Sequence, residues 1–130
     1  MDDIMDRFSD AINTIKTNER IGRVECVMPS TKLVKAALDI MKRESYIKDY
    51  EEFSEGHKNM LKVYLSNKIN EIGVIKPRYA IGKDDVQRYE ARYIPSRDFG
   101  ILLISTPKGI VTNKEAVANG TGGRLLAYVY

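Results

Sequence analysis

Residues 101–130 read ILLISTPKGIVTNKEAVANGTGGRLLAYVY, and this stretch decides the fold of the second half of the chain. The apolar run at 101–104 (ILLI) is typical of a strand that is buried on both faces. The run at 125–130 (LLAYVY) predicts another strand. Between them, Thr112 and Glu115 have the spacing of a helix capping box, and Gly120 closes the helix that follows. We therefore expect two strands with a short helix between them.

The residues before this stretch extend the second half back to position 76. Residues 74–81 predict a short strand, which Pro77 confines to a sheet edge or a strand end, and Gly82 ends it. Val86, Tyr89 and Tyr93 have helical spacing, so residues 83–93 predict a helix or helical linker. The second half, residues 76–130, is therefore expected to be mostly β with a short helix.

The first half, residues 1–75, shows alternating helix and strand signals. Apolar residues recur every three or four positions from 4 to 15, which predicts an amphipathic helix with an acidic outer face. Residues 23–28 alternate as a strand does, and Ser30 or Thr31 caps the helix that follows Pro29. Residues 46–53 and 60–66 predict two strands joined by a turn at 54–59. The predicted order is α-β-α-β-β, and the predicted class is α+β with two small packed halves.

Composition excludes several classes of protein. With 130 residues, 43% of them hydrophobic and 30% charged, the chain has ordinary globular values. It has no apolar stretch near the roughly 20 residues that span a bilayer, and its acidic start differs from a targeting peptide. We therefore expect a cytoplasmic protein without a membrane partner.

A metal or catalytic site is not expected. Cys26 is the only cysteine and His57 the only histidine, and their spacing does not resemble a zinc site. As a nucleophile and base they would also need an orienting carboxylate, and Cys26 alternates with apolar neighbours as a buried strand cysteine does. We expect no metal, no cofactor and no enzymatic activity.

Positive charge is concentrated in one segment. The net charge is only +3, but residues 1–19 hold five acids and two bases, whereas residues 56–83 hold six bases and the single acid Glu71. A local basic surface fits a phosphate backbone. Scattered solvated lysines are the more common explanation of such a pattern.

Two polar segments flank the predicted strands of the second half. Residues 105–112 (STPKGIVT) follow the first strand and residues 120–124 (GTGGR) precede the last one. If the strands are neighbours, these segments present hydroxyls, backbone amides and two bases together, which suits RNA. Pro and Gly after a strand also indicate a simple turn, and composition alone favours the turn.

Three segments carry a resemblance to a known family: 12–15 (INTI) with 27–30 (VMPS), 92–100 (RYIPSRDFG), and 104–130, which includes Ser105-Thr106-x-Lys108-Gly109 and Gly122-Gly123-x-Leu125. The chain resembles the universal small-subunit ribosomal protein number eight family in its archaeal and eukaryotic form. The likeness covers essentially the whole chain.

The resemblance implies a structural constituent of the small ribosomal subunit. Such a protein binds the central domain of small-subunit ribosomal RNA directly, nucleates its assembly and meets neighbouring ribosomal proteins. In many relatives it also represses translation of its own messenger RNA. A protein-interaction module without RNA and a small enzyme are the alternatives that the residues by themselves leave open.

The resemblance also implies which residues contact RNA. Ser105 and Thr106 supply hydroxyls, and many relatives have a third hydroxyl where Pro107 stands here. The other positions implied to contact or approach RNA are Lys108, Gly109, Gly122, Gly123, Asn13, Ser30, Thr31, Lys32 and Tyr79.

Overall fold

The structure is a computed structural model that describes the backbone from Asp3 to Tyr130 and the side chains from Arg7 onward. The chain divides into two compact units, the first ending at Ile69 and the second beginning at Asn70. Helices and antiparallel strands occur in both units, which confirms the predicted α+β class. Among the apolar positions of the predicted first helix, those at 4 and 5 lie outside the described side chains.

The first unit has the predicted order α-β-α-β-β. Helix α1 (Asp3–Arg20) is followed by strand β1 (Glu25–Pro29), helix α2 (Lys32–Arg43), and strands β2 (Ile47–Glu55) and β3 (Lys58–Leu65). Helix α2 begins after Thr31, whose side chain accepts a hydrogen bond from the Val34 amide at 3.1 Å. Of the two caps predicted for this helix, Thr31 is therefore the cap.

The three strands form one antiparallel sheet in the order β1-β3-β2. Along β3, Leu61, Val63 and Leu65 are buried while Lys62 and Tyr64 are half-exposed, as the alternation of the sequence predicted. Cys26 and Met28 are buried opposite this row on β1. One face of the sheet is thus apolar, and α1 and α2 pack against its edge strands.

The second unit contains strands β4 (Ile72–Val74), β5 (Ala80–Ile81), β6 (Ile101–Thr106), β7 (Gly109–Thr112) and β8 (Gly123–Val129). The order of its antiparallel sheet is β4-β8-β6-β7, and β5 also pairs with β8. Helix α3 (Val86–Tyr93) follows a 3₁₀ turn at Lys83–Asp85, and helix α4 (Asn113–Asn119) follows β7. The side chains that form its apolar core are Ile75, Ile81, Val86, Ile94, Leu102, Ile104, Ala116 and Leu125.

Helix α4 has both predicted ends. The Thr112 side chain accepts a hydrogen bond from the Glu115 amide at 3.2 Å, and the Glu115 carboxylate accepts one from the Thr112 amide at 3.0 Å. Gly120 ends the helix with a φ of 65°, in the left-handed region that glycine adopts at least cost. The capping box was therefore predicted correctly.

The boundary between the units differs from the predicted division at 75/76. Strand β4 (Ile72–Val74) pairs with β8 over residues 127–129, so its backbone hydrogen bonds belong to the second sheet. The strand predicted at 74–81 is also divided into β4 and β5, separated by the cis Lys76–Pro77 bond. Proline has no amide hydrogen to donate, so a continuous ladder through this position is not available.

Two turns are tighter than predicted. The turn expected at 54–59 shortens to Gly56 and His57, because Glu55 pairs with Lys58. The segment at 105–112, expected to be a loop, is a second hairpin in which Thr106 pairs with Gly109. Strand β7 was missed because residues 109–112 were assigned to the loop and to the helix cap.

Candidate nucleic-acid interface

The hairpin of β6 and β7 contains the first group of predicted contact residues. Its turn consists of Pro107 and Lys108, both exposed, between the paired residues Thr106 and Gly109. The Thr106 hydroxyl donates a hydrogen bond to the Gly109 carbonyl at 2.7 Å and accepts one from the Lys108 amide at 3.2 Å. Thr106 therefore organises the turn with its own side chain, and its hydroxyl keeps one acceptor position.

Ser105 differs from Thr106 in its hydrogen bonding. Ser105 lies between Ile110 of β7 and Arg124 of β8, so its backbone belongs to the interior of the sheet. Its side chain is partly exposed, and its hydroxyl makes no hydrogen bond within the described residues. A hydroxyl in this state can donate and accept with an external partner.

The packing of the strands requires glycine at both positions 122 and 123, independently of any contact with RNA. A Cβ on Gly122 would lie 2.3 Å from the Ile81 carbonyl oxygen, and one on Gly123 would lie 2.2 Å from the Ser105 carbonyl oxygen. Both distances are far below van der Waals contact. The glycines therefore allow β5, β8 and β6 to approach at the place where the contact residues meet.

Gly109 is required for its conformation. Its φ is +124°, which side chains disfavour, while the space around its Cα is open. Pro107 occupies the first position of the turn, where its fixed φ is favourable. The residue that departs from the family pattern is therefore compatible with the hairpin.

These elements border one shallow groove of about 520 Å³. Its lining residues are Ala80, Ile81, Ser105, Thr106, Pro107, Gly123 and Arg124. The two polar segments were expected to meet only if the strands next to them are neighbours in the sheet. These strands are β6 and β8, and they do pair. The structure thus brings Ser105, Thr106 and Gly123 together, with Lys108, Gly109 and Gly122 directly beside them in the chain.

Arg124 was one of the two bases expected near this surface, but it was not among the residues that the resemblance implies to contact RNA. It is exposed, lines the groove, and donates from Nη1 to the Arg78 carbonyl at 3.3 Å. This bond places the guanidinium beside the segment that precedes β5. A base next to the Gly-Gly pair was the sequence signal that could have identified it.

Ser30, Thr31 and Lys32 lie in the first unit at the start of α2. The Ser30 hydroxyl donates to the Glu52 carboxylate at 2.8 Å, and the Thr31 side chain caps α2. The Ser30 hydrogen bond, together with the charge of Lys35, holds the pKa of Glu52 below its usual value. A carboxylate beside Ser30 disfavours an approaching phosphate, so among these three residues the exposed Lys32 is best suited to one.

The two remaining predicted residues are far apart in sequence and differ in setting. Asn13 is exposed on α1 and borders a shallow groove of about 410 Å³ with other polar residues of that helix. Tyr79 is half-buried in the second unit, where its ring packs against the core and lies 5.5 Å from the Tyr89 ring. Asn13, Ser30, Thr31 and Lys32 thus belong to one unit, while Tyr79 and the groove belong to the other.

Comparison with known proteins finds matches along almost the whole chain. The family model described as Ribosomal protein S8 matches residues 6–130. The chain belongs to the ribosomal protein S8 family. It is 44% identical over 126 residues to the small ribosomal subunit protein uS8 of Thermoplasma volcanium, and equally so to that of Thermoplasma acidophilum. Each match covers 96% of this chain and 98% of the relative.

Membership in the S8 family confirms the resemblance and the predicted class of function. Proteins of this family are structural, non-enzymatic components of the small ribosomal subunit, which excludes the alternative that the chain is a small enzyme. Within the described residues there is no cluster of three or more histidine, cysteine or acidic side chains that could hold a metal ion. In the same part of the chain, no helix has the length and apolarity needed to cross a membrane.

Proposed function

We propose that this S8-family protein binds the central domain of small-subunit ribosomal RNA directly, through the groove lined by β5, β6 and β8. The observation that carries the proposal is the convergence of Ser105, Thr106 and Arg124 on one open surface. A hydroxyl without an internal partner, a guanidinium and closely approachable backbone are the groups that RNA recognition uses.

The roles within the groove follow from their hydrogen bonds. Ser105 donates and accepts with a base edge or a ribose 2′-hydroxyl, because its own hydroxyl is not engaged within the described residues. Thr106 holds the hairpin and accepts at most one further bond. Lys108 and Arg124 are exposed at the two sides and pair with phosphates.

The matched pair Ser105→Ala and Ser54→Ala tests this assignment. Both serines lie on a strand near a hairpin turn, but Ser54 belongs to the first unit. Ser105→Ala should weaken binding to a central-domain RNA fragment by about 1–3 kcal/mol with unchanged thermal stability, while Ser54→Ala should bind as the wild type. Equal affinities of the three proteins in a gel-shift titration would remove Ser105 from the contact set.

Thr106 requires a separate control because its hydroxyl is structural. Thr106→Ala should lower stability by about 1 kcal/mol and also weaken RNA binding, whereas Thr106→Ser should keep both. Chemical footprinting of the full small-subunit RNA with the purified protein alone should show protection confined to one central-domain helix. Such binding without other proteins is what a nucleating role in assembly requires, and protection elsewhere would contradict it.

Repression of the protein's own messenger would use the same groove. An element in that messenger with the shape of the ribosomal site should therefore compete with ribosomal RNA and lose affinity in the Ser105→Ala variant. Binding of the messenger that is insensitive to Ser105 would exclude a shared site.

A further inference from the structure

Two tyrosines and two arginines form a cluster beside the groove. Tyr79 precedes β5, and Arg88, Tyr89 and Arg92 lie on α3. The Tyr79 and Tyr89 rings are half-buried, pack against the core of the second unit and lie 5.5 Å apart at an angle of 35°. The two rings therefore form an apolar surface beneath the arginines.

Both guanidinium groups are held over these rings. Arg88 lies 5.3 Å from the centre of the Tyr89 ring, and Arg92 lies 5.9 Å from Tyr89 and 6.0 Å from Tyr79. Stacking on a ring restricts a guanidinium while its N–H edge still points outward. The side chains are thus positioned in advance for an anion, which reduces the entropy cost of binding.

The two arginines differ in their acidic neighbours. Arg88 also pairs with Asp85 at 3.3 Å, although its side chain stays 71% exposed. For Arg92, the described part of the chain contains no carboxylate within ion-pair distance. Glu90, on the same helix, is buried and neutralised by Arg97 at 3.2 Å. The charge that α3 presents to solvent is therefore mainly that of its arginines.

The cluster is continuous with the groove through β5. The Tyr79 carbonyl accepts a hydrogen bond from the Leu125 amide at 3.0 Å, and Ala80 and Ile81, the next two residues, line the groove. Arg124 donates to the Arg78 carbonyl on the same strip of chain. Arginines therefore contact two neighbouring residues of this segment: Arg124 at the Arg78 carbonyl and Arg92 over the Tyr79 ring.

We propose that Arg88 and Arg92, supported by the Tyr79–Tyr89 pair, bind the phosphate backbone of the RNA where it leaves the groove. This inference rests on the proposed RNA-binding function and extends it to a surface on α3. The cluster contributes affinity through charge, whereas Ser105 in the groove contributes contacts to bases and sugars.

The dependence of affinity on salt distinguishes these two contributions. Loss of one phosphate contact lowers the slope of log affinity against log salt by about 0.7–0.9, whereas loss of a base or sugar contact leaves it unchanged. We expect Arg92→Gln to weaken binding about tenfold and to lower the slope by one such step. The double variant Arg88→Gln/Arg92→Gln should lower the slope by a second step. Arg92→Lys, which keeps the charge, should keep the wild-type slope.

Arg43→Gln is the matched control. Arg43 is an exposed helical arginine that pairs with a neighbouring acid, as Arg88 does, but it lies on α2 in the first unit. Its substitution should change the slope by less than half a step, and circular dichroism should show all variants folded.

The outcomes separate the two proposals. A reduced slope for the α3 variants with an unchanged slope for Ser105→Ala supports both. Unchanged slopes and affinities for Arg88→Gln and Arg92→Gln, with weaker binding by Ser105→Ala, would overturn the α3 surface alone. Failure of the wild-type chain to bind the RNA fragment would overturn both.

Discussion

Replacement of Asn113 by alanine should destabilise the second unit more than its single polar side chain suggests. Asn113 is the first residue of α4 and has no exposed surface. Its Oδ1 accepts a hydrogen bond from the Leu102 amide at 3.1 Å, and its Nδ2 donates to the Glu90 carboxylate at 2.5 Å. One side chain therefore joins the start of α4 to β6 and to α3.

The magnitude follows from the two groups that would lose a partner. The Leu102 amide is buried, and an unsatisfied buried donor costs about 1–3 kcal/mol. Glu90 is only 5% exposed and would keep one donor, Arg97, while losing a hydrogen bond to a charged group worth about 1.5–3 kcal/mol. We expect a total loss of about 2.5–6 kcal/mol, a large part of the stability of an ordinary domain.

Urea denaturation followed by circular dichroism measures this loss. The matched control is Asn119→Ala at the exposed end of the same helix, which should change the free energy of unfolding by less than about 0.5 kcal/mol. The slope of unfolding free energy against urea should stay constant, so that the midpoint reports stability. If Asn113→Ala costs less than about 1 kcal/mol, the Glu90–Asn113 network does not hold these elements together.

Three further outcomes are expected. Gly123→Ala should cost about 3 kcal/mol in thermal or urea unfolding, because its Cβ would lie 2.2 Å from the Ser105 carbonyl oxygen; a stable variant with wild-type RNA affinity would contradict the close approach. Burial raises the pKa of the Cys26 thiol to about 11, so at pH 8 the folded protein should react with a disulfide reagent about ten times more slowly than the unfolded chain, and equal rates would show an accessible thiol. The hydrogen bond to Glu51 raises the pKa of Tyr64 to about 12, so the stability that this bond gives the folded protein is present below about pH 10 and is lost as pH rises toward 12. Glu51→Gln should lower the pKa of Tyr64 in a tyrosine NMR titration. An unchanged pKa would reject the carboxylate as the cause of the shift.

The elements predicted correctly are those whose signals are local. The apolar periodicity of α1, the alternation along β3 and the Thr112–Glu115 capping box each involve residues within a few positions of one another. Their backbone conformations follow from short-range hydrogen bonds and from one-sided burial. Strand β7 was not predicted because its four residues begin with a turn glycine and end with a helix cap, and its burial does not alternate.

The candidate site was predicted in part. Ser105, Thr106 and the Gly122–Gly123 pair were identified from residue types and from the family resemblance; Ser105, Thr106 and Gly123 meet in one groove, and Gly122 is next to it in the chain. Their hydrogen bonds could not be predicted, since the partner of the Thr106 hydroxyl depends on the turn geometry of Pro107 and Lys108. The same holds for Ser30, which meets Glu52 across 22 positions of sequence.

The sequence by itself determined the α+β class, the order of elements in the first unit and the chemistry available at 105–109, because these depend on local patterns and residue types. Only the tertiary structure decided that β4 belongs to the second sheet and that Arg124 borders the groove. It also decided that the Gly-Gly pair serves the close approach of three strands and that Arg92 lies over two tyrosine rings. Strand pairing and side-chain packing join residues distant in sequence, and those contacts depend on the whole fold.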